Sequence, residues 1–116
     1  MAASSDPGLE IDPARASALL AAGEAQLVDV REQREWDAGR IPGARHVPLG
    51  TLAERASELD PALPVIVQCR VGGRSAIAAQ ALRAAGIEAW SLAGGLLRWV
   101  DEGLPIEPED GFVASH

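Results

Sequence analysis

Apolar and polar residues alternate in short blocks along this chain, and the blocks predict an α/β domain. After a brief apolar segment at Leu9–Ile11, four short apolar runs have the length and composition of buried strands: Ala25–Val30, Ala44–Val47, Val65–Gln68 and Ala89–Leu92. Val65–Gln68 is the strongest of them, because it is rich in β-branched residues and a proline comes directly before it. These runs predict a sheet whose strands are separated by longer, more polar segments.

The segments between the runs have helix signals at their ends. They predict helices over Pro13 to about Ala22, Glu32–Ala38, Thr51–Leu59, Ser75–Ala85 and Leu96–Glu102. Asp12 before Pro13 is typical of an N-cap followed by proline at the first helical position, and Thr51 with Glu54 has the spacing of a capping box. Regular alternation of strand and helix favours an α/β domain with a mainly parallel sheet.

Length, charge and composition narrow the class of protein. A chain of 116 residues is one domain, which we place at residues 9–107, with short flexible ends at 1–8 and 108–116. The net charge of −7 disfavours nucleic-acid binding, because the field of the molecule repels phosphates. No stretch is apolar and long enough to span a bilayer, and residues 1–12 lack a secretory signal, so we expect a cytoplasmic protein.

Cysteine and histidine are scarce in this chain. One cysteine, Cys69, and two histidines, His46 and His116, are too few for a Cys/His structural zinc site, so we expect no metal. Neither histidine is placed by the sequence to act as a base for Cys69. A lone cysteine forms no internal disulfide, which agrees with a reducing compartment. The remaining question is whether Cys69 packs as a small apolar residue or reacts.

The position of Cys69 favours reaction. The cysteine directly follows the strand Val65–Gln68 and precedes a helix that we expect to open at Ser75. Open α/β sheets bind ligands at the C-terminal ends of their parallel strands. Free backbone N–H groups at a helix N-terminus also stabilise an anion. Both features place the sulfur atom where an anionic group is bound.

The loop after the cysteine adds two further stabilising features. Gly72 and Gly73 let successive backbone N–H groups converge on one point and form an anion-binding nest. Arg70 and Arg74 add positive charge within the same six residues. All of these features favour the thiolate over the thiol, so we expect Cys69 to be an exposed nucleophile for an anionic substrate.

The chain resembles a single-domain rhodanese of the thiosulfate sulfurtransferase family over about residues 9–107. The loop CRVGGRS at Cys69–Ser75 matches the family form Cys-x-x-Gly-x-Arg-Ser. LVDVRE at Leu27–Glu32 resembles the first core-strand motif, and EWDAGRIPGARHVP at Glu35–Pro48 resembles the second signature. LAGGLLRWVDEGLPIE at Leu92–Glu107 is similar to the C-terminal segment. Four motifs in the family's order make the resemblance specific.

The resemblance implies a fold and a reaction. The fold is the rhodanese-like one, a five-stranded, mainly parallel sheet flanked by helices. The Cys69 thiolate attacks the outer sulfur of an anionic donor such as thiosulfate, releases sulfite and becomes a persulfide. A thiol or cyanide acceptor, in some cases an acceptor protein, then takes the sulfur. The resemblance implies no cofactor.

The expected site surrounds Cys69 with one loop and a supporting pair. The substrate- and persulfide-binding loop consists of Arg70, Val71, Gly72, Gly73, Arg74 and Ser75. We expect Arg74 to steer the anionic donor and to support the loop, while the more exposed Arg70 either serves the donor or has no role. Ser75 is at least as well suited to capping the helix as to contacting substrate. The family likeness suggests that Asp29 and Arg31 form a supporting ion pair.

Three other functions belong to the same fold. Cell-cycle dual-specificity phosphatases of the fold have five residues between cysteine and arginine, whereas four separate Cys69 from Arg74 here, and the shorter loop suits a sulfur atom better than a phosphate. Arsenate reduction usually needs a further thiol, and the chain has no second cysteine. Non-catalytic interaction modules of this kind typically lose the cysteine, which this chain retains. We therefore expect a sulfurtransferase.

Overall fold

The sheet is formed by strands that are far apart in the sequence. A computed structural model describes residues 8–116, so residues 1–7 of the predicted flexible N-terminal end lie outside the described part of the chain. Five parallel strands form one sheet in the order β1-β5-β4-β2-β3. The strands are Glu10–Ile11 (β1), Gln26–Asp29 (β2), Arg45–His46 (β3), Val65–Gln68 (β4) and Ala89–Leu92 (β5). The predicted α/β class and five-stranded parallel sheet are confirmed.

In the described range 8–116, four α-helices lie between successive strands and a fifth follows the last strand. They are Pro13–Ala21 (α1), Gln33–Ala38 (α2), Leu52–Arg55 (α3), Gly73–Ala84 (α4) and Gly95–Asp101 (α5), and short 3₁₀ turns at Leu49–Thr51 and Ala56–Glu58 flank α3. The side chain of Asp12 accepts the backbone N–H of Arg15 at 2.8 Å and caps α1 as predicted. No helix among residues 8–116 is long and apolar enough to cross a membrane.

Each face of the sheet carries its own apolar layer. Alternate residues of a strand point to opposite faces, so Val65 and Val67 of β4 enter one layer and Ile66 enters the other. The first layer includes Ala78 and Leu82 of α4, and the second includes residues of α1 and α5. Because β4 is covered on both faces, all four of its residues are buried, which explains its unbroken apolar sequence.

The third helical segment differs from its prediction. The capping-box spacing of Thr51 and Glu54 predicts one helix to Leu59, whereas the segment is a single α-helical turn between two 3₁₀ turns. The Thr51 hydroxyl donates to the carbonyl of Pro48 at 2.9 Å and makes no cap contact with the helix. Pro48 allows a tight turn here, and the threonine side chain closes that turn.

The C-terminal segment 108–116, which the sequence predicts as a flexible end, makes defined contacts with the domain. The Phe112 N–H donates to the carbonyl of Ala38 at 2.9 Å, next to the end of α2. Val113 packs against the apolar layer of α1 and α5, and Ala114 is buried. These contacts direct the last residues of the chain across the C-terminal edge of the sheet.

The topology determines where a ligand site forms. β2 and β4 are neighbours, but the chain leaves β2 toward β3 on one side and leaves β4 toward β5 on the other side. Loops that leave in opposite directions open a crevice at the C-terminal ends of the two strands, where open α/β sheets bind ligands. The residues after β2 and those after β4 therefore meet at this crevice.

Candidate active site

The sulfur atom of Cys69 lies at the centre of the loop that follows β4. The backbone N–H groups of Gly72 and Ser75 point at the sulfur, with N···Sγ distances of 3.1 and 3.4 Å. The loop covers the cysteine, which is only 1% exposed. The sequence-based expectation of an exposed thiolate is therefore wrong. The folded-back loop surrounds the sulfur with backbone N–H donors in place of water.

The curvature of the loop depends on a left-handed residue. Gly72 has φ +115°, a region that residues with a Cβ rarely adopt. No described residue accepts a hydrogen bond from the backbone N–H of Val71, Gly73 or Arg74. These groups belong to the loop and the first turn of α4, where N–H groups have no partner within the helix. The loop is thus an anion-binding nest with spare donors around the sulfur.

Of the two roles predicted for Ser75, the structure excludes the helix cap. Helix α4 begins at Gly73 with Gly72 as its N-cap, so Ser75 lies within the first turn and does not cap the helix. Its hydroxyl lies 3.5 Å from the Cys69 sulfur and 2.8 Å from the hydroxyl of Ser91 in β5. It also donates to the Gly72 carbonyl at 3.2 Å. Ser75 therefore joins the loop, the sulfur and the neighbouring strand.

Arg74 is held by a buried carboxylate. Its two terminal nitrogens donate to the two oxygens of Glu35 in α2 at 2.8 and 2.9 Å. The Glu35 side chain is fully buried, and that of Arg74 is 16% exposed. Since Glu35 engages both terminal nitrogens and compensates the charge, Arg74 holds the loop against α2. This geometry agrees with the predicted loop-supporting role of Arg74, which also lines the pocket beside Cys69.

The environment of Glu35 keeps its carboxylate charged. Burial alone raises its pKa, but the hydrogen bonds from Arg74 and from the backbone N–H of Glu32 outweigh burial and lower the pKa from 4.5 to about 2. The hydrogen bonds with Glu35 likewise raise the pKa of Arg74. The pair is therefore ionised at every pH at which the protein is expected to work.

Arg70 is the second arginine of the loop. The sequence ranks it as the more exposed and less important of the two arginines, but its Nε is buried and makes no hydrogen bond with any described residue. Arg70 forms part of the wall of the pocket next to Cys69, and none of the ion pairs among residues 8–116 includes it. Its charge is uncompensated at the place where an anionic donor would enter.

Helix α5 holds the loop by hydrogen bonds to two of its backbone carbonyls. The Leu96 and Leu97 N–H groups, in its first turn, donate to the carbonyls of Cys69 and Arg70 at 2.8 and 3.1 Å. This contact requires Gly95, because a Cβ there would lie 2.5 Å from the Arg70 carbonyl oxygen. Its φ of +61° also disfavours any other residue. Gly95 therefore lets α5 approach the loop closely enough to fix both carbonyls.

The structure brings Asp29 and Arg31 together next to the crevice. Arg31 donates from Nη2 to Asp29 at 2.8 Å and to the carbonyl of Gly39 at 2.7 Å, and both charged side chains are fully buried. Neither residue is among those that line the pocket beside Cys69. This geometry agrees with a supporting ion pair. The pair orients the chain between β2 and α2, and through α2 it affects the position of Glu35.

A pocket of about 350 Å³ opens beside the sulfur. Its wall consists of Cys69, Arg70, Val71, Gly73, Arg74, Ile77 and His116. Val71 and Ile77 are large apolar residues that are 55% and 60% exposed. His116 arrives from the C-terminal segment, a position in the pocket wall that the sequence did not predict for it. The pocket combines apolar walls, a cationic side and an imidazole.

Sequence reasoning missed Glu35, Ser91 and His116. Glu35 lies in a polar helix 39 residues before Arg74, and only its place in the second family signature marks it out. Ser91 lies in an apolar strand, where a lone hydroxyl gives no signal of its own. His116 reaches the site through the packing of the C-terminal segment. These three residues are brought in by tertiary structure and not by a local motif.

With the fold and the site geometry in place, comparison with known proteins identifies the class. The chain matches the family described as "Rhodanese-like domain" over residues 12–102, and it belongs to this family. It is 36% identical over 104 residues to a protein named "Sulfurtransferase" from Allochromatium vinosum, covering 88% of this chain and 97% of that protein. The resemblance seen in the four sequence motifs is confirmed.

Two further relatives agree with this assignment. The uncharacterized protein YqhL of Bacillus subtilis is 44% identical over 77 residues, covering 66% of this chain. The chain spans 61% of the length of that relative. A crystal structure of a protein from Lactobacillus plantarum is 36% identical and superposes with a TM-score of 0.79, covering 86% of this chain and 88% of that one. The observed strand order is therefore that of a rhodanese-like fold.

Proposed function

We propose that this protein is a sulfurtransferase that carries a sulfane sulfur as a persulfide on Cys69. One observation carries the proposal: the Cys69 sulfur receives the N–H groups of Gly72 and Ser75 inside a loop with further unpaired N–H donors. Donors aimed at a sulfur anion stabilise a thiolate before the reaction and a terminal persulfide sulfur after it. The relative named "Sulfurtransferase" has the same domain over almost its whole length.

The reaction proceeds in two halves. In the first, the Cys69 thiolate attacks the outer sulfur of a donor such as thiosulfate. A new S–S bond forms, the S–S bond of the donor breaks, and sulfite leaves with the bonding electron pair. In the second, a nucleophilic acceptor, cyanide or a thiolate, attacks the terminal sulfur of the persulfide and releases the Cys69 thiolate. No net oxidation occurs, so no external oxidant is needed.

The two arginines of the loop have different roles, one in attracting the donor and the other in positioning the loop. Arg70 provides the positive charge that attracts the donor, since it lines the pocket and forms no ion pair with a carboxylate of residues 8–116. Arg74 fixes the loop through Glu35. The four-residue spacing between Cys69 and Arg74 gives a nest that suits a sulfur atom, and a tetrahedral phosphate needs a wider loop.

Initial-rate kinetics test the proposal. With thiosulfate and cyanide varied together, a persulfide intermediate predicts the parallel double-reciprocal lines of a ping-pong mechanism. Cys69→Ser should abolish the transfer, while the exposed, distant Ser57→Ala should leave it unchanged. Intersecting lines, or transfer that survives in Cys69→Ser, would contradict the mechanism. Cys69-dependent hydrolysis of an aryl phosphate without any sulfur transfer would favour the phosphatase function instead.

A further inference from the structure

Two hydroxyl groups lie in a row beside the Cys69 sulfur. The Ser75 hydroxyl is 3.5 Å from the sulfur and 2.8 Å from the hydroxyl of Ser91 in β5. Ser91 is fully buried, and within residues 8–116 the Ser75 hydroxyl is the one hydrogen-bond partner of its side chain. A buried hydroxyl is unfavourable unless it is paired. The bond to Ser75 is therefore what allows a serine at this position of the strand.

The burial of Ser91 determines the direction of the bond between the two hydroxyls. A hydroxyl has one proton to donate and two lone pairs that accept. If Ser91 accepted the proton of Ser75, its own proton would be buried with no acceptor in the described part of the chain, which is unfavourable. Ser91 is therefore the donor of this bond, and Ser75 is the acceptor.

The proton of Ser75 then remains for one of two other acceptors. The Gly72 carbonyl, at 3.2 Å, and the Cys69 sulfur, at 3.5 Å, are both within hydrogen-bond distance of the Ser75 oxygen. The Gly72 carbonyl also accepts the backbone N–H of Ala76 at 3.0 Å, so it keeps a partner when the Ser75 hydroxyl turns away. Because a charged acceptor binds a proton donor more strongly than a neutral one, the hydroxyl turns to the sulfur when the sulfur is an anion.

We infer that Ser91 is a positioning residue for sulfur transfer, which donates to Ser75 and thereby directs the Ser75 proton to the Cys69 sulfur when that sulfur becomes an anion. The inference rests on the proposed function and adds a residue outside the loop. In the Cys69 persulfide the inner sulfur is neutral. When cyanide attacks the outer sulfur, a C–S bond forms, the S–S bond breaks, and its electron pair goes to the inner sulfur. The Ser75 hydroxyl rotates toward this charge, and no proton is transferred.

The two half-reactions should depend on the hydroxyl pair in opposite senses. A hydroxyl that itself accepts a hydrogen bond is a stronger donor, so the bond from Ser91 strengthens the bond from Ser75 to the sulfur. Charge develops on the Cys69 sulfur during discharge of the persulfide, which the pair therefore accelerates. Charge leaves the same sulfur when the thiolate attacks thiosulfate, and the pair does not accelerate that step. A displaced loop would instead slow both steps.

The experiment measures the two steps separately on the full chain. Formation of the Cys69 persulfide with thiosulfate is followed by intact mass in samples quenched over time. The excess donor is then removed, and discharge of the persulfide by cyanide is followed in the same way. Both steps are measured at about pH 10, above the ordinary thiol pKa of roughly 8.5, so that protonation of a free thiol does not enter the comparison. The result is the ratio of the discharge rate to the formation rate.

We expect Ser91→Ala to lower this ratio about fivefold and Ser75→Ala to lower it about twentyfold, as for loss of a neutral and of a charge-assisted hydrogen bond. In the Ser75→Ala background, Ser91→Ala should have no further effect on the ratio, because Ser91 acts through Ser75. Ala89→Gly is the matched control. It removes a buried atom group from the same face of β5 without touching either hydroxyl, and it should lower stability but keep the ratio.

Every other outcome also decides the matter. An unchanged ratio in Ser91→Ala, including one in which both steps are slowed equally, would mean that Ser91 only packs in the strand and would overturn the inference. A further fall of the ratio when Ser91→Ala is added to Ser75→Ala would show another route and overturn it as well. A normal ratio in Ser75→Ala would do the same, whatever the stability of the Ser91 variants. Failure of the wild-type persulfide to form would instead overturn the proposed function itself.

Discussion

The two terminal nitrogens of Arg74 are bound by the two carboxylate oxygens of Glu35, at 2.8 and 2.9 Å, across 39 residues of sequence. This bidentate pair connects the loop after β4 to the helix after β2, the two segments that meet at the crevice of the sheet. A bidentate pair fixes orientation as well as distance. The position of the loop around Cys69 therefore depends on a residue outside the loop.

Replacing Glu35 tests this dependence. Glu35→Gln leaves the Arg74 guanidinium partly buried without a countercharge, and removing one partner of a buried pair typically costs about 3–5 kcal/mol. We expect a loss of about 3 kcal/mol in the free energy of unfolding measured with urea, together with slower sulfur transfer. Glu58→Gln is the matched control, because Glu58 pairs with Arg55 on the surface and its loss should hardly alter stability. Equal effects of the two changes would contradict the role of Glu35.

The low pKa of Glu35 predicts how this effect varies with pH. The carboxylate is stabilised in the folded state, so its contribution is complete above the unfolded pKa of 4.5 and is lost as the pH falls toward the folded value of about 2. The contribution amounts to roughly 3 kcal/mol at neutral pH. The stability gap between the wild-type protein and Glu35→Gln should therefore shrink between pH 5 and pH 2. A gap that stays constant over this range would show that Glu35 does not titrate as described.

Replacing Arg70 and replacing Arg74 should have different effects, the first on donor binding and the second on stability. Arg70→Ala removes the uncompensated charge beside the pocket, so we expect KM for thiosulfate to rise about tenfold while the unfolding free energy changes little. Arg74→Ala leaves the carboxylate of Glu35 buried and unpaired, so we expect a loss of stability of about 3 kcal/mol. Steady-state kinetics and urea unfolding on both variants make the comparison. The opposite pattern would restore the sequence-based assignment of donor binding to Arg74.

Gly95 provides a test of the contact between α5 and the loop. Gly95→Ala places a Cβ 2.5 Å from the Arg70 carbonyl oxygen, and it also requires alanine at φ +61°. The left-handed conformation alone costs about 1–2 kcal/mol, and the overlap adds to this by pushing the loop away from α5. We expect low stability and little transfer activity.

Gly103→Ala is the matched control for this change. Gly103 has a comparable φ of +79°, but no atom would lie within 4 Å of its added Cβ. It should therefore show only the conformational cost of about 1–2 kcal/mol and keep its activity. If both alanine variants were equally stable and active, the close approach at Gly95 would have no functional importance.

Much of this architecture follows from local sequence. The bounds of β4, Val65–Gln68, and of β5, Ala89–Leu92, agree with the predicted runs, because both strands are short, apolar and ended by turn residues. The cap of α1 by Asp12 is likewise a local effect of a side chain on the next turn. The prediction of a helix cap at Thr51 was wrong. A capping-box spacing also occurs where the side chain closes a turn, as the Thr51 hydroxyl does with the Pro48 carbonyl.

The site was less predictable than the fold. Cys69 and the loop that encloses it can be read from one run of sequence, since a strand, two glycines and two arginines follow one another there. The burial of the sulfur and the pairing of Arg74 with Glu35 cannot be read in this way, because both depend on the order of the strands in the sheet. The approach of His116 depends on packing of a segment that has no helix or strand of its own.

The central claim is that Cys69 carries a transferable sulfur atom. The most direct measurement is the intact mass of the protein after incubation with thiosulfate and removal of the excess donor. The account predicts a gain of one sulfur atom per chain, absent in Cys69→Ser and removed by cyanide. An unchanged mass with thiosulfate and with other sulfane donors, or the same gain in Cys69→Ser, would contradict it.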